Sequence, residues 1–341
     1  MSKRFFRAVS PSCFTQGFHA MSDSSSVPTP DVTYGVIGLG AMGMGIARSL
    51  FAAGLPVIGC DVAVSARDNF AAAGGRTLPS PLALAEECSV VILVVVNAAQ
   101  VDAVLFGEDG LGGLAERLAP GSLVIQCATV APAYAVALGE RLQEMELELL
   151  DAPISGGAAK AACGQLSVMA SGRVEAFSMA EPALGAMAAN VHRLGDAPGV
   201  GSSVKLVNQH LAGVHIAAAA EAMALGVRMG IDPQRLYEVI TQSAGNSWMF
   251  ENRVPHILEG DYTPLSAVDI FVKDLNLVHD TGRDLRLAMP VAASALQQFT
   301  AASGMGHGRE DDAAVIKVYA ATAGIDLPAT NDANHDRERE E

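Results

Sequence analysis

Lys205 and Asn208 stand three residues apart in the segment Val204-Lys205-Leu206-Val207-Asn208-Gln209. On a helix that spacing puts both side chains on one face. Apolar surroundings and the positive end of a helix lower an ammonium's pKa. Such an amine can exchange a proton with a hydroxyl near neutral pH. A lysine that snorkels from a helix end has the same spacing. Upstream, Asp151-Ala152-Pro153-Ile154-Ser155-Gly156-Gly157 offers a hydroxyl at Ser155 and unhindered amides at Gly156 and Gly157. Successive free amides make a concavity for an anion such as a carboxylate, although an ordinary glycine-rich turn reads alike. Lys273, in Phe271-Val272-Lys273-Asp274-Leu275, can reach across a cleft or form a surface pair with Asp274. Trp248, the only tryptophan, can line a pocket or fill a core.

A second constellation precedes these. Val36-Ile37-Gly38-Leu39-Gly40-Ala41-Met42-Gly43 is a G-x-G-x-x-G turn, and Asp61 lies 18 residues beyond Gly43. Thr33–Ile37 reads as a strand, Met42–Ala53 as a helix ended by Gly54, and Leu55–Asp61 as a second strand. Within a βαβ unit the pattern is a dinucleotide fingerprint. Gly38 permits the tight turn, Gly40 lets backbone approach a pyrophosphate, and Gly43 lets the helix pack on the strand. The first turn of the helix, at Ala41 and Met42, offers free amides to the phosphates. Asp61 can accept from both adenosine ribose hydroxyls and opposes a 2′-phosphate, so NAD is expected over NADP. Other acid–base devices are missing: no tyrosine is followed four residues later by lysine, and there is no H-E-x-x-H. His210 and His215, five residues apart, read as packing residues. Lysine is therefore the acid–base candidate, with no metal.

These residues need elements to hold them. Strand and helix signals alternate from Thr33 to about Pro153: Val90–Val96, Leu123–Gln126 and Glu146–Asp151 read as strands, and Ala131–Gln143 as a helix. Gly164–Ser171 adds a further strand and His192–Leu194 another. That alternation predicts a parallel doubly wound sheet. Ser202–Met229 reads as one long buried helix with close-packing points at Gly213 and Gly226. Asp232-Pro233 caps the next, and all that follows reads as helical. The expected architecture is α/β: a Rossmann domain over 31–198, then an all-α substrate and dimerisation domain over 199–325, joined by the long helix.

Half of the 341 residues are hydrophobic, and the net charge is −15. The first argues for ample core and the second against nucleic-acid binding. No apolar run is expected to cross a membrane. Five scattered cysteines, with no C-x-x-C, indicate a reducing compartment without disulfides or zinc, and hence a cytoplasmic protein. Residues 1–30 differ, with Lys3, Arg4 and Arg7 ahead of any acid. They read as a transit-like peptide, or as an upstream start with Met21 the natural one. The charged tail over 326–341 reads as disordered.

Taken in order and at these separations, the glycine fingerprint, the Ser-Gly-Gly loop, Lys-x-x-Asn and Lys-Asp-Leu resemble the β-hydroxyacid dehydrogenase family over Thr33 to Ala320. The resemblance implies a cofactor turn at Gly38, Gly40, Ala41, Met42 and Gly43, with the adenosine-binding acid at Asp61. It implies a nicotinamide side at Val96, Thr129 and Lys273, a substrate loop at Ser155, Gly156 and Gly157 with Trp248 nearby, and a catalytic Lys205 assisted by Asn208. Val95-Val96-Asn97 departs from the Leu-Pro of many members, which shifts the nicotinamide ribose contacts. Asn246, Ser247, Asn252 and Arg253 suit a polyhydroxy acid. The implied reaction is NAD-dependent oxidation of a four-carbon sugar acid by a homodimer or homotetramer. Oxidation of 3-hydroxyisobutyrate, reduction of tartronate semialdehyde and a noncatalytic NAD-binding module remain alternatives.

Overall fold

The computed structural model of the chain describes residues 32–107 and 112–328. The expected extension at 1–30 and the tail beyond 328 lie outside the described residues. The first half runs β1 (Tyr34–Ile37), α1 (Ala41–Ala52), β2 (Val57–Cys60), α2 (Val64–Ala72), β3 (Arg76–Leu78), α3 (Pro81–Leu84), β4 (Val90–Leu93), α4 (Ala98–Phe106), β5 (Leu123–Gln126), α5 (Pro132–Glu144) and β6 (Glu148–Asp151). The six strands form one parallel sheet in the order β3-β2-β1-β4-β5-β6. Its central strands are apolar, Gln126 at the end of β5 excepted, because both faces are covered. Val36, Ile92 and Ile125 enter one core, and the alternate residues Ile37, Val91, Leu93 and Val124 enter the other.

Most element boundaries move by one to four residues from the sequence reading, and two of these shifts bear on the cofactor turn. Helix α1 begins at Ala41 rather than Met42, with Gly40 at its cap. Strand β4 ends at Leu93 rather than Val96, where the pairing with Ile37 and Gln126 also ends. Val94 to Val96 lie beyond the strand end. The turn admits no side chain at Gly43, where a Cβ would lie 1.7 Å from the Gly38 carbonyl oxygen.

The later strands do not extend this sheet. They are β7 (Ile154–Ser155), β8 (Leu166–Ala170) and β9 (Ala188–Arg193), separated by α6 (Gly157–Ala162) and α7 (Val174–Met187). They make a separate three-stranded sheet, antiparallel between β7 and β8 and parallel between β8 and β9. Glycines 156 and 157 carry positive φ and turn the chain out of β7 into α6. A single bridge, Asp151 to Ser171, joins the two sheets.

The second half is helical: α8 (Val200–Arg228), α9 (Pro233–Ile240), α10 (Trp248–Glu259), α11 (Val268–Asp284), α12 (Pro290–Ala302) and α13 (Ile316–Ala323). Asp232 caps α9 by accepting from the Arg235 amide at 2.9 Å. The core here is built from α8 residues such as Ile216 and Met223 with Phe250, Phe271 and Phe299. Gly213 lies against Leu275, whose methyls would sit 2.9 Å from an added Cβ. By length and a mean hydropathy of 1.4, α8 is apolar enough to cross a membrane, which amends the sequence reading. Half of that stretch is buried in the protein, so its apolarity serves the helical core.

One buried carboxylate ties α8 to the sheet. Asp151 is fully buried at the end of β6. Its Oδ2 accepts from the Gly199 and Ser202 amides, each at 2.9 Å, and its Oδ1 accepts from the Ser202 hydroxyl at 2.7 Å. The Gly201 amide donates to the Ser171 hydroxyl at 2.9 Å. The first amides of a helix have no partner within it, and here residues from the sheet region supply acceptors. Burial raises the Asp151 carboxyl pKa against the pull of these bonds.

Candidate active site

A cavity of about 460 Å³ opens where the sheet's strand ends face α8, α10 and α11. Open parallel sheets bind ligands outside the carboxyl ends of their strands. The cavity takes in Gly40, Ala41, Met42 and Gly43, then Val96 and Thr129, then Ser155, Gly156 and Gly157, and finally Lys205, Asn208, Trp248 and Lys273. The motifs singled out along 230 residues of sequence therefore share one space. Gly38 and Asp61 do not line it. A Cβ on Gly38 would strike the Val94 carbonyl oxygen at 2.3 Å.

Asp61 has more to do than the sequence indicates. Its Oδ2 accepts from the Leu39 amide at 2.6 Å and its Oδ1 from the Ala63 amide at 2.7 Å. The carboxylate braces the glycine turn while each oxygen keeps a further lone pair.

Lys205 lies in the second turn of α8 and is 7 % exposed. Its Nζ donates to Gln209 Oε1 at 2.7 Å, and Asn208 Nδ2 donates to the same oxygen at 3.0 Å. Gln209 Nε2 in turn donates to Asp274 Oδ2 at 2.5 Å. Asp274 Oδ1 is in ion-pair contact with Lys273 Nζ at 2.7 Å. Lys273 also donates to the carbonyls of Val96 at 2.7 Å and Thr129 at 3.2 Å. The two lysines, on α8 and α11, are thus connected through Gln209 and Asp274, and Lys273 fastens the helical half to the sheet half. Burial lowers the Lys205 pKa from 10.5 to about 8. Asp274 opposes that shift and Lys273 reinforces it.

Gln209 and Asp274 were not singled out as site residues from the sequence. The signal for Gln209 was its spacing four residues after Lys205; Asp274 carried none beyond its adjacency to Lys273. The polar residues around Trp248 divide. Asn252 and Arg253 line the cavity. Asn246 turns inward to the Thr241 carbonyl and the Glu251 carboxylate, and Ser247 caps α10 by accepting from the Phe250 amide; neither lines the cavity. Trp248, 48 % exposed, stands at its edge rather than in a core. Among the described residues no cluster of His, Cys, Asp or Glu could hold a metal.

The residues present fit a dinucleotide. The only place in the turn where a Cβ would meet nothing is Gly40, which faces the cavity, and the first amides of α1 lie beside it without helical partners. Fold and site together define a nicotinamide-dependent oxidoreductase acting on a small hydroxy acid. Two family descriptions match in sequence: the NAD-binding domain of 6-phosphogluconate dehydrogenase over residues 33–195, and the NAD-binding region of NADP-dependent 3-hydroxyisobutyrate dehydrogenase over residues 199–319. The L-threonate dehydrogenase of Cupriavidus necator is 60 % identical over 86 % of this chain and 97 % of its own length. That of Escherichia coli K12 is 51 % identical over 86 % and 96 %. A crystal structure of a 3-hydroxyisobutyrate dehydrogenase from Salmonella typhimurium superposes with a TM-score of 0.80 at 51 % identity, covering 84 % of this chain and all of that one. The chain belongs to the β-hydroxyacid dehydrogenase family.

Proposed function

We propose that this enzyme oxidises L-threonate to 2-oxo-threonate with NAD, using Lys205 as the base. The observation that carries the reading is the buried Lys205 amine inside the cavity that also holds the glycine turn, where burial lowers its pKa to about 8. Gly40, Ala41, Met42 and Gly43 would hold the pyrophosphate, Asp61 the adenosine ribose, and Val96, Thr129 and Lys273 the nicotinamide side. Bound there, NAD supplies the hydride acceptor. Ser155, Gly156 and Gly157 receive the substrate carboxylate. Neutral Lys205 takes the proton from the C2 hydroxyl as the C2–H bond breaks, and Asn208 orients that hydroxyl. Gln209 accepts from Lys205 and keeps the amine aimed. Trp248 closes the open side.

The identities to two L-threonate dehydrogenases support this choice of acid over 3-hydroxyisobutyrate. A site with polar partners for hydroxyls rejects analogues that lack them. Steady-state kcat/KM with NAD is expected to favour L-threonate over 3-hydroxyisobutyrate and L-serine by about 10² or more. A higher value for 3-hydroxyisobutyrate would move the assignment.

Cofactor choice gives a separate check. NAD is expected to be preferred to NADP, because a 2′-phosphate would face the Asp61 carboxylate. Asp61→Ser is expected to narrow the kcat/KM ratio by about tenfold, the size of one lost charged contact. Preference for NADP in the unmodified enzyme would remove the role given to Asp61.

We place the enzyme in the cytoplasm, as a homodimer or homotetramer. Support for assembly comes from α8, where Val200, Val204, Val207 and Leu211 fall on one face, each more than a third exposed. A contiguous apolar stripe of this kind marks a contact surface.

A further inference from the structure

The wall of the cavity formed by α10 and residues 264–267 contains a charge group that the proton transfer does not use. Arg253, on α10, lines the cavity and is 7 % exposed. Its Nε donates to Asp312 Oδ1 at 2.5 Å and its Nη2 to Asp312 Oδ2 at 3.1 Å. Asp311 Oδ1 stands 4.0 Å from the same Nε. Nη1 donates to Asn252 Oδ1. Both aspartates are fully buried. Asp311 also fixes the wall itself: its Oδ2 accepts from the Leu265 amide at 3.0 Å, and the Asp312 amide donates to the Ser266 carbonyl at 2.7 Å.

A guanidinium has five N–H groups, and the three contacts above occupy its Nε, one Nη1 and one Nη2 donor. Two hydrogens take no part in these contacts, on a residue that lines the cavity. One cation against two carboxylates leaves the group net negative when both acids are ionised. Burial pushes the Asp312 carboxyl up to about 6, opposed by Arg253, so it is ionised at pH 8. A neutral hydroxyl can accept from the guanidinium there. A second carboxylate would meet a guanidinium whose charge the two aspartates behind it already outweigh, and would give up its water for no net attraction.

We propose that Arg253, held by Asp311 and Asp312, reads the hydroxylated end of the substrate and excludes acids that carry a second carboxylate. The inference rests on the L-threonate reading and deepens it: the substrate class is monocarboxylic polyhydroxy acids. Asp312 is a positioning residue that also sets the local charge.

The probe is tartrate of the matching configuration, which differs from L-threonate in bearing a carboxylate where threonate has its C4 alcohol. Initial rates are measured with NAD at pH 8. The unmodified enzyme is expected to use tartrate at least about 100-fold less efficiently than L-threonate. Asp312→Asn keeps the shape but removes one charge, and is expected to lower the KM for tartrate about tenfold, a gain that mere loosening of the wall does not produce. Arg253→Lys is expected to raise the KM for L-threonate about tenfold with little change for glycerate, which has no C4 group. Similar efficiency on threonate and tartrate in the unmodified enzyme overturns the inference without any variant and leaves the L-threonate reading standing. So does an Arg253→Lys enzyme equally impaired on threonate and glycerate. Failure of the unmodified enzyme to oxidise L-threonate at all overturns the reading and the inference with it.

Discussion

Replacing Lys205 with alanine is expected to lower turnover by about 10²–10⁴, the range for loss of a positioned acid–base group. NAD affinity should stay near that of the unmodified enzyme, since the amine faces the reacting hydroxyl. The pH profile carries the same test. Only the neutral amine can accept a proton, and burial brings its pKa to about 8. The kcat/KM for oxidation should therefore rise as pH passes about 8 and then level, while the reverse reduction declines over the same interval. A stability consequence follows with opposite sign to the activity loss. The folded pKa lies below the unfolded 10.5, so the buried ammonium is a cost while it is charged. That cost is fully present below pH 8 and fades as pH rises toward 10.5. Lys205→Met should therefore gain on the order of 1–3 kcal/mol at pH 7, a gain that disappears near pH 10.5. Near-full turnover in Lys205→Ala would refute the mechanism, and lower stability of Lys205→Met at pH 7 would refute its electrostatic account.

Asp151→Ala should produce the largest stability loss. The substitution leaves the Gly199 amide, the Ser202 amide and the Ser202 hydroxyl buried without their acceptor. Each orphaned group costs about 1–3 kcal/mol. The total expected in chemical denaturation is about 3–5 kcal/mol, since part of the cost is relieved by relaxation and by water. What remains folded should turn over slowly, because the start of α8 and Lys205 lose a fixed reference to the sheet. A loss under about 1 kcal/mol would show that the helix start is held by other contacts.

Legibility in the sequence followed the range of the interactions. Gly38, Gly40, Gly43 and Asp61 sit within one βαβ unit, and Lys205 with Asn208 within one turn of helix, so spacing alone conveys their geometry. The parallel sheet was legible because β1, β2, β4 and β5 are buried end to end. Strand β9 gave a poor signal because five of its six residues are exposed, and the separate three-stranded sheet went unforeseen. Distant pairings were silent: Gln209 with Asp274 spans 65 residues, Arg253 with Asp312 spans 59, and Asp151 with Ser202 spans 51. Each depends on how helices meet in space, and no local pattern encodes that. Asn246 and Ser247 misled for a related reason: turn and cap residues have the same polarity as residues that face a ligand.

The Asp151 clasp makes the start of α8 a fulcrum. A helix rises about 1.5 Å per residue, so Lys205 sits about 9 Å from Gly199 along the axis and Arg228 about 44 Å. A swing of about 5° around the clasp moves the far end by nearly 4 Å but Lys205 by less than 1 Å, by the same rise per residue. Displacements at the far end of α8, away from the Lys273 contacts to Val96 and Thr129, are thereby compatible with a nearly stationary base. The chemistry is mounted where the lever travels least.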